Sequence, residues 1–173
     1  MKVKLGRIPD DSLIRKYFPA DYSDCYQCTV VNDKCITPDD LQIAFWTNKP
    51  EWIDTLFKIR NFLVKPFGLK TGEPDAGIIE NCIRNSTSTG IFSVVDKTSE
   101  ETIIRLSDKH LDACISAHFR PVESGSTVMS FITVVHIHNL AGYLYFYPIL
   151  PFHHIVVKSM VGDTIKRLMR DKG

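Results

Sequence analysis

One continuous stretch near the C-terminus constrains the fold of this chain most strongly. An apolar run from Ser126 to His138 is followed by the turn Asn139-Leu140-Ala141-Gly142 and then by a helix-like segment that ends in Lys166, Arg167 and Arg170. The period of the pattern changes from that of a strand to that of a helix. The stretch also holds four of the six histidines. It therefore predicts a buried strand, a tight turn and a long terminal helix that covers the sheet.

The bulk composition predicts one globular domain spanning residues 1–173. The chain has 173 residues, 44% hydrophobic and 24% charged, which is close to the average for globular proteins. A net charge of +1 lacks the clustered basic surface of a nucleic-acid-binding protein, so no nucleic-acid partner is expected. Lys166, Arg167 and Arg170 instead offset the negative end of a helix dipole.

Cysteine usage and the absence of an apolar leader at the start lead us to expect a cytoplasmic protein with free thiols. The five cysteines are an odd number, and the one CxxC pair, Cys25 and Cys28, has no second pair to complete a zinc ribbon. A spacing of three on a strand also points the two thiols to opposite faces. Neither a metal nor any other cofactor is predicted.

The uncharged segment from Leu140 to Phe152 raises the question of a membrane span. It is shorter than the ~20 residues that a bilayer requires, and Pro148, Pro151, His153 and His154 interrupt or end it. We therefore predict that it is buried within the protein and that the chain has no transmembrane segment.

The first half of the chain reads as a short helix, a strand and two helices. Thr37-Pro38-Asp39-Asp40 combines a capping hydroxyl, proline at the first helical position and carboxylates in the first turn, which predicts a helix from there to about Trp46. The other predicted elements are a helix over Asp10 to Phe18 stopped by Pro19, a strand over Tyr22 to Val31, a helix beginning at Pro50 with the apolar stripe Trp52, Leu56, Ile59 and Leu63, and a loop over Thr71 to Gly77.

The second half reads as antiparallel strands before the terminal helix. Leu111 to Arg120 alternates between apolar and polar residues, which predicts one buried and one wet face. Thr127 to His138 is apolar on both faces and should lie centrally. The remaining strands are predicted over Gly90 to Asp96 and Thr102 to Ser107, joined by the hairpin connection Lys97 to Glu100.

With these residues in place, the chain resembles a bacterial family of unknown function, domain of unknown function family 2867. The resemblance spans about Asp21 to Leu168 and depends on the order of five motifs: Asp21-Tyr22, Pro66 to Leu69, Asp108 to Asp112, His138-Asn139 with Gly142, and Pro151-Phe152-His153. It implies no established activity. Some similar proteins are fused behind a dehydrogenase-like nucleotide-binding domain, which implies an interaction domain that partners such a protein as one option.

The order of elements is also similar to that of the helix-grip fold of START-like and Bet v 1-like proteins. That similarity implies an α+β fold in which a curved antiparallel sheet wraps around a long C-terminal helix. Proteins of this architecture commonly hold small apolar ligands, although a fold by itself does not establish a function. The expected partner is a small hydrophobic or amphiphilic molecule held in a cavity between sheet and helix. The oligomeric state is open, a homodimer being one option.

The histidines supply two constellations that could carry chemistry. His136 and His138 share a strand face, and they could bind a metal if His153 or His154 came near; packed and hydrogen-bonded histidines are the commoner case. In the second constellation Asp112 could orient His110 as a general base, whereas the same spacing also suits a hairpin in which aspartates bond the turn. The catalytic candidates are His110, Asp112 and His153.

The residues expected to contact a ligand are imidazole, amide and aromatic groups near the predicted cavity. Asn139 is also typical of a helix cap. His153 follows Pro151, which should bend the helix. At such a bend the His153 side chain either bonds the carbonyl groups that the proline leaves free or points into the cavity. The full expected set is Trp46, His136, His138, Asn139, Tyr145 and His153.

Two functions are therefore predicted. The first is a binding module for a small apolar or amphiphilic molecule, and the second is an enzyme of cyclase, isomerase or hydrolase type that uses His110 with Asp112, or His153, as acid and base. No Walker loop, Rossmann fingerprint, HExxH or GxSxG occurs in the sequence, so the common nucleotide, zinc-protease and serine-hydrolase classes have no support.

Overall fold

A computed structural model describes residues 2–31, 35–48, 75–122 and 125–171. Within them seven strands form one antiparallel sheet, ordered β1-β2-β7-β6-β5-β4-β3. The strands are β1 Lys4–Leu5, β2 Tyr22–Val31, β3 Ser88–Thr89, β4 Phe92–Lys97, β5 Glu101–Ser107, β6 Leu111–Pro121 and β7 Ser126–Ile137. The helices are α1 Pro38–Thr47, α2 Ala76–Asn85 and α3 Leu140–Asp171, and a 3-10 helix spans Leu13–Tyr17. This is the predicted α+β, helix-grip-like arrangement of a curved open sheet and a long C-terminal helix.

The ends of the helices follow the local sequence signals. Thr37 accepts from Asp40 N, and Asp40 Oδ2 accepts from Thr37 N, which is the reciprocal capping box expected from Thr37-Pro38-Asp39-Asp40. At the start of α3, Asn139 Oδ1 accepts from Gly142 N at 3.1 Å, as a helix cap does. Two predicted starts are thus confirmed at the level of single hydrogen bonds.

The helices α1 and α3 cover one face of the sheet. Their apolar residues pack with the inward side chains of β2, β6 and β7, and Phe45 and Phe131 lie with ring centroids 4.3 Å apart. The C-terminal half of α3 contributes Val157, Met160, Val161 and Ile165 to this cluster, all of them at most 6% exposed. Under this half of the helix the space next to the sheet is therefore filled by core side chains.

The prediction that β6 has one wet face is wrong. The face carrying Asp112, Cys114, Ser116 and His118 is buried, with Ser116 fully excluded from solvent. The 3-10 helix and the chain around it cover this face, where Ile14 packs with Cys114 and other apolar residues of β2, β5 and β7. The alternation of apolar and polar residues in β6 therefore separates two buried layers. The polar layer is linked to the covering segment through Glu101, which accepts from both Ser116 and Ser12.

The remaining differences concern one helix that was not predicted, one prediction that is wrong, and two that fall outside the described residues. The helix α2 was not predicted, although Asp75 caps it and Ile79, Cys82 and Ile83 have helical spacing. The predicted burial of Leu140 to Phe152 is wrong for several residues, since Leu140 is 73% and Leu144 59% exposed. The predicted helix after Pro50, with Trp52, Leu56, Ile59 and Leu63, and the motif Pro66 to Leu69 lie outside the described residues.

Candidate functional site

A group of titratable and aromatic side chains lies where β2 meets the N-terminal half of α3. In β2, Tyr22, Asp24 and Tyr26 alternate along the strand and therefore point to the same face. In α3, Phe146 and His153 are seven residues apart, about two turns, and so they lie on one side of the helix. We call Tyr22, Asp24, Tyr26, His153 and His154 the Asp24 cluster.

A buried carboxylate is the centre of this cluster. The side chain of Asp24 is only 3% exposed, and its Oδ2 accepts from the Tyr22 hydroxyl at 2.7 Å and lies 2.9 Å from His153 Nε2. Burial acts to raise the pKa of Asp24, but the hydrogen bond and charge of His153, with the hydroxyls of Tyr22 and Thr133, hold that pKa below its usual value. An ionised carboxylate only accepts, so His153 Nε2 carries the hydrogen.

The other carboxylate oxygen of Asp24 has no such partner. Asp24 Oδ1 is fully buried and accepts no hydrogen bond of normal geometry from the described residues, although the hydroxyl of Thr133, its neighbour on β7, lies near enough to lower the pKa of the carboxyl group. A buried polar atom left without a partner costs about 1–3 kcal/mol, and more for a charged group. An unsatisfied charged oxygen in the middle of the cluster marks a position where a further donor would be stabilised.

A second pair extends the cluster toward solvent. The Tyr26 hydroxyl lies 2.8 Å from His154 Nδ1, and His154 Nδ1 lies 3.9 Å from Asp24 Oδ2. Burial and the charge of Asp24 raise the pKa of Tyr26 to about 12, and burial with the Asp24 hydrogen bond raises the pKa of Tyr22 further still. Both phenols are therefore protonated donors at neutral pH.

Aromatic rings surround the polar centre. The Tyr22 ring lies 5.2 Å from that of Phe146 and 5.8 Å from that of His153, the latter edge-on at 87°. The side chain of His153 is 19% exposed and that of His154 is 44% exposed. Exposure to solvent thus increases from the carboxylate of Asp24 to the imidazole of His153 and then to that of His154. The rings of Tyr22 and Phe146 supply apolar surface beside them.

Of the residues predicted from sequence, His153 is the one that lies in this cluster. His136 is bonded on the opposite face of the sheet, where its Nε2 is 3.0 Å from Pro19 O. His138 lies beside Asp112, with Nε2 3.6 Å from Asp112 Oδ2. The convergence of these two histidines with His153 or His154 that a metal would need does not occur.

The predicted pair of His110 and Asp112 is divided between different partners. The carboxylate of Asp112 is bonded by Arg105 and accepts from the Ser107 hydroxyl at 2.6 Å. The arginine and serine bonds hold the pKa of Asp112 low although burial opposes them. His110 Nδ1 lies 3.0 Å from Asn139 Oδ1, at the start of α3. These contacts tie strand ends and a helix cap together, and the aspartate that bonds the turn is Asp108, whose Oδ1 accepts from Lys109 N at 2.6 Å.

Two of the other expected ligand contacts, Asn139 and Trp46, have their partners outside the cluster. Asn139 caps α3 and donates through Nδ2 to Lys109 O at 3.1 Å. Trp46 donates through Nε1 to Gln42 and packs edge-on against Phe92, while Tyr145 is half-buried on α3. Sequence reasoning missed Tyr22, Asp24 and Tyr26, and it named His154 only as a possible metal ligand. A signal for the first three did exist, since a carboxylate between two tyrosines on an otherwise apolar strand face is unusual.

Comparisons with known proteins identify a family without an assigned activity. The family described as "Protein of unknown function (DUF2867)" matches residues 18–160, which include all of the Asp24 cluster. No curated protein and no solved structure matches the chain. Because the family match covers most of the sequence, the chain belongs to the DUF2867 family of proteins of unknown function.

Proposed function

We propose that this protein binds a small amphiphilic molecule where β2 meets the N-terminal half of α3, with Asp24 and His153 as its polar anchor. The observation that carries the proposal is the buried, unsatisfied Oδ1 of Asp24 beside the His153 and Tyr22 bonds to Oδ2. A hydroxyl or amine of a ligand would supply the missing donor, and a charge-assisted bond of this kind is stronger than a neutral one.

The surroundings favour a ligand that is only partly polar. The rings of Tyr22 and Phe146 offer apolar surface next to the carboxylate. Ligand sites typically combine such surface with a few converging polar groups. Val157, Val161 and Ile165 pack the C-terminal half of α3 onto the sheet. The N-terminal half is therefore the part of the helix whose sheet-facing side can contact a ligand.

Binding can be tested with a panel of long-chain and aromatic alcohols and amines, measured by native mass spectrometry and calorimetry. We expect Asp24→Asn to weaken binding of the molecules that bind wild type by at least about tenfold, equal to ~1.4 kcal/mol. His153→Gln should weaken it similarly, whereas His136→Gln, on the opposite face of the sheet, should bind as wild type does. If no member of the panel binds, or if the three variants bind alike, the proposal is wrong.

A second candidate function is acid–base catalysis on the bound molecule. It is favoured by the 2.9 Å contact of His153 Nε2 with an ionised Asp24, because a carboxylate that fixes one ring nitrogen as the donor leaves the other available as a base in the neutral form of the ring. A binder that carries a carbonyl group should then exchange the hydrogen on the adjacent carbon for deuterium in heavy water, as followed by NMR, because that hydrogen is acidic enough for an imidazole to remove whereas the carbon-bound hydrogens of simple alcohols and amines are not. Exchange that persists in His153→Gln would rule out His153 as the base.

A further inference from the structure

The outer side of α3 carries a row of large apolar side chains in contact with solvent. Leu140, Leu144, Tyr147, Phe152 and Ile155 are 73%, 59%, 56%, 56% and 62% exposed; we call them the outer stripe. No Asp, Glu, Lys or Arg occurs between Leu140 and Val157. Contiguous exposed apolar surface on a protein commonly marks an interaction site.

This helix also has the length and apolar composition of a membrane-crossing helix, the single such case among the described residues. Its candidate span is Leu140–Arg170, and only 17% of the most apolar window is buried. A buried core helix would be covered by the rest of its domain, whereas the described residues leave most of this window uncovered. A partner would explain the apolar composition.

Most of the outer stripe lies away from the Asp24 cluster. At 100° per residue its five members fall within an arc of about 140°, whereas Phe146, His153 and Val157 point to the sheet from the other side of the helix, and His154 lies at the edge of the arc next to Tyr147. A change at Leu144, away from that edge, therefore leaves the inner contacts of α3 in place, and it tests the stripe independently of the cluster.

Opposite charges lie near the two ends of the outer stripe. Lys158 follows Leu140 by 18 residues, which is five helical turns, so it lies on the same side about 27 Å along the axis. At the other end, Asp21 is exposed, accepting from Ile137 N at 2.7 Å and from the Tyr143 hydroxyl at 2.8 Å. These two bonds lower the pKa of Asp21, which is charged at neutral pH.

Such an arrangement is complementary to itself. Two copies of α3 packed antiparallel about a two-fold axis near Tyr147 would set Leu140 of one copy against Ile155 of the other. The same register brings Lys158 of each copy to the end of the stripe where Asp21 of the other lies. An isologous interface of this kind repeats every contact twice. An anionic bilayer, by contrast, would face the Asp21 carboxylate with like charge.

We propose that a second copy of this chain covers the outer stripe in a two-fold antiparallel helix pair, with Leu144 and Tyr147 at its centre and Lys158 paired with Asp21 at each end. The apolar centre supplies the burial, and the end charges fix the antiparallel direction because a parallel pair would bring lysine to lysine.

Sedimentation equilibrium tests the pairing. Wild type should reach twice the 19.7 kDa chain mass as concentration rises. Leu144→Glu should raise the dissociation constant at least about tenfold, since it places a charge in an apolar contact, whereas Ile78→Glu, on the exposed side of α2, should leave it unchanged. Lys158→Glu should also weaken the dimer. A wild type that stays at the single-chain mass, or a Leu144→Glu that dimerises as wild type does, overturns the proposal.

A cross-link tests the register. Cys35 is the one exposed native cysteine, so Tyr147→Cys is made in a Cys35→Ser background. Oxidation should join two chains at position 147, near the two-fold axis, and Ile78→Cys should give no such product. If wild type is instead monomeric and sediments with anionic vesicles in a Leu144-dependent way, a bilayer is the occupant and the dimer is wrong. Ligand binding by Leu144→Glu should equal that of wild type in either case.

Discussion

At the scale of single residues, Asp24 combines features that rarely occur together. Its side chain is buried, its pKa is lowered against the effect of burial, and one oxygen accepts no hydrogen bond of normal geometry from the described residues. Ion-pair networks that serve only structure also shift pKa values, but they satisfy both oxygens, as Arg105 and Ser107 do for Asp112. The contrast between the two aspartates is the reason to assign function to one and structure to the other.

Asp24 should make the stability of the fold fall in acid. A carboxylate whose pKa is lower in the folded than in the unfolded chain stabilises the fold above the unfolded value of about 3.9, and this contribution is lost as pH falls through the folded pKa. Asp24→Asn removes it, so the free energy of unfolding in urea should decline less between neutral pH and strong acid than in wild type. Asp10→Asn, which changes an exposed ion pair with Arg15, should keep the wild-type slope; equal slopes in both variants would contradict the assignment.

At the scale of elements, the long helix is held at its first turn by a close backbone approach. A Cβ on Gly142 would lie 2.7 Å from Ile137 Cγ2 and would also meet the carbonyl oxygen of His110. The same helix contains Gly162, where a Cβ would meet only Val3 Cγ2 at an ordinary 3.5 Å. The two glycines therefore have opposite roles within one element.

Alanine at these two positions should change stability in opposite directions. Gly142→Ala forces the helix away from the strand ends and should cost about 1–3 kcal/mol of unfolding free energy, as overpacking does. Gly162→Ala should be neutral or stabilising by up to about 1 kcal/mol, because glycine is a poor helix former. Both values can be read from urea unfolding. A Gly142→Ala as stable as wild type would show that the approach of α3 to the sheet is looser than described.

A second buried carboxylate, that of Glu101, holds the 3-10 helix against the sheet through hydrogen bonds. Glu101 is 1% exposed and accepts from the hydroxyls of Ser12 and Ser116 at 2.7 and 2.5 Å and from Leu13 N at 2.6 Å. Removal of an acceptor leaves buried donors unsatisfied, at about 1–3 kcal/mol each.

Weakening the hydrogen bonds to Glu101 should release the first residues of the chain before the rest unfolds. We expect Ser12→Ala to destabilise by about 1 kcal/mol, and Glu101→Ala by more. Limited proteolysis should then cut near Arg15 and Lys16 faster than in wild type. Asp10→Asn serves as the control on the same segment. Cleavage that starts elsewhere in the chain would contradict the role given to Glu101.

At the scale of the whole molecule, the sequence predicted what depends on local pattern. The strand Tyr22 to Val31, the start of α1 at Pro38, the central place of β7 and the long terminal helix were all readable from period and capping. The buried polar face of β6 was not, because alternation does not distinguish water from a second covering layer. The Asp24 cluster joins residues about 130 positions apart, and no local spacing encodes the meeting of β2 with α3.

The exposed side of α3 is a second feature that the sequence pattern did not predict. A long uncharged run predicted burial, and Phe146 with Gly142 are indeed buried, but the run is apolar on all sides and only one side can face its own sheet. The composition of a helix shows how apolar it is. It does not show what covers each side, because that depends on tertiary and quaternary packing. The pattern therefore predicted the side of α3 that faces the sheet, and the proposed partner for the other side could not be predicted from it.

A crystal structure of the protein with a bound member of the alcohol and amine panel tests the central proposal most directly. We predict a ligand hydroxyl or amine within hydrogen-bonding distance of Asp24 Oδ1, with the apolar part of the molecule against the rings of Tyr22 and Phe146. If Oδ1 accepts instead from a protein group or from ordered water alone, and the molecule lies elsewhere, then Asp24 is a structural carboxylate and the binding site proposed around it does not exist.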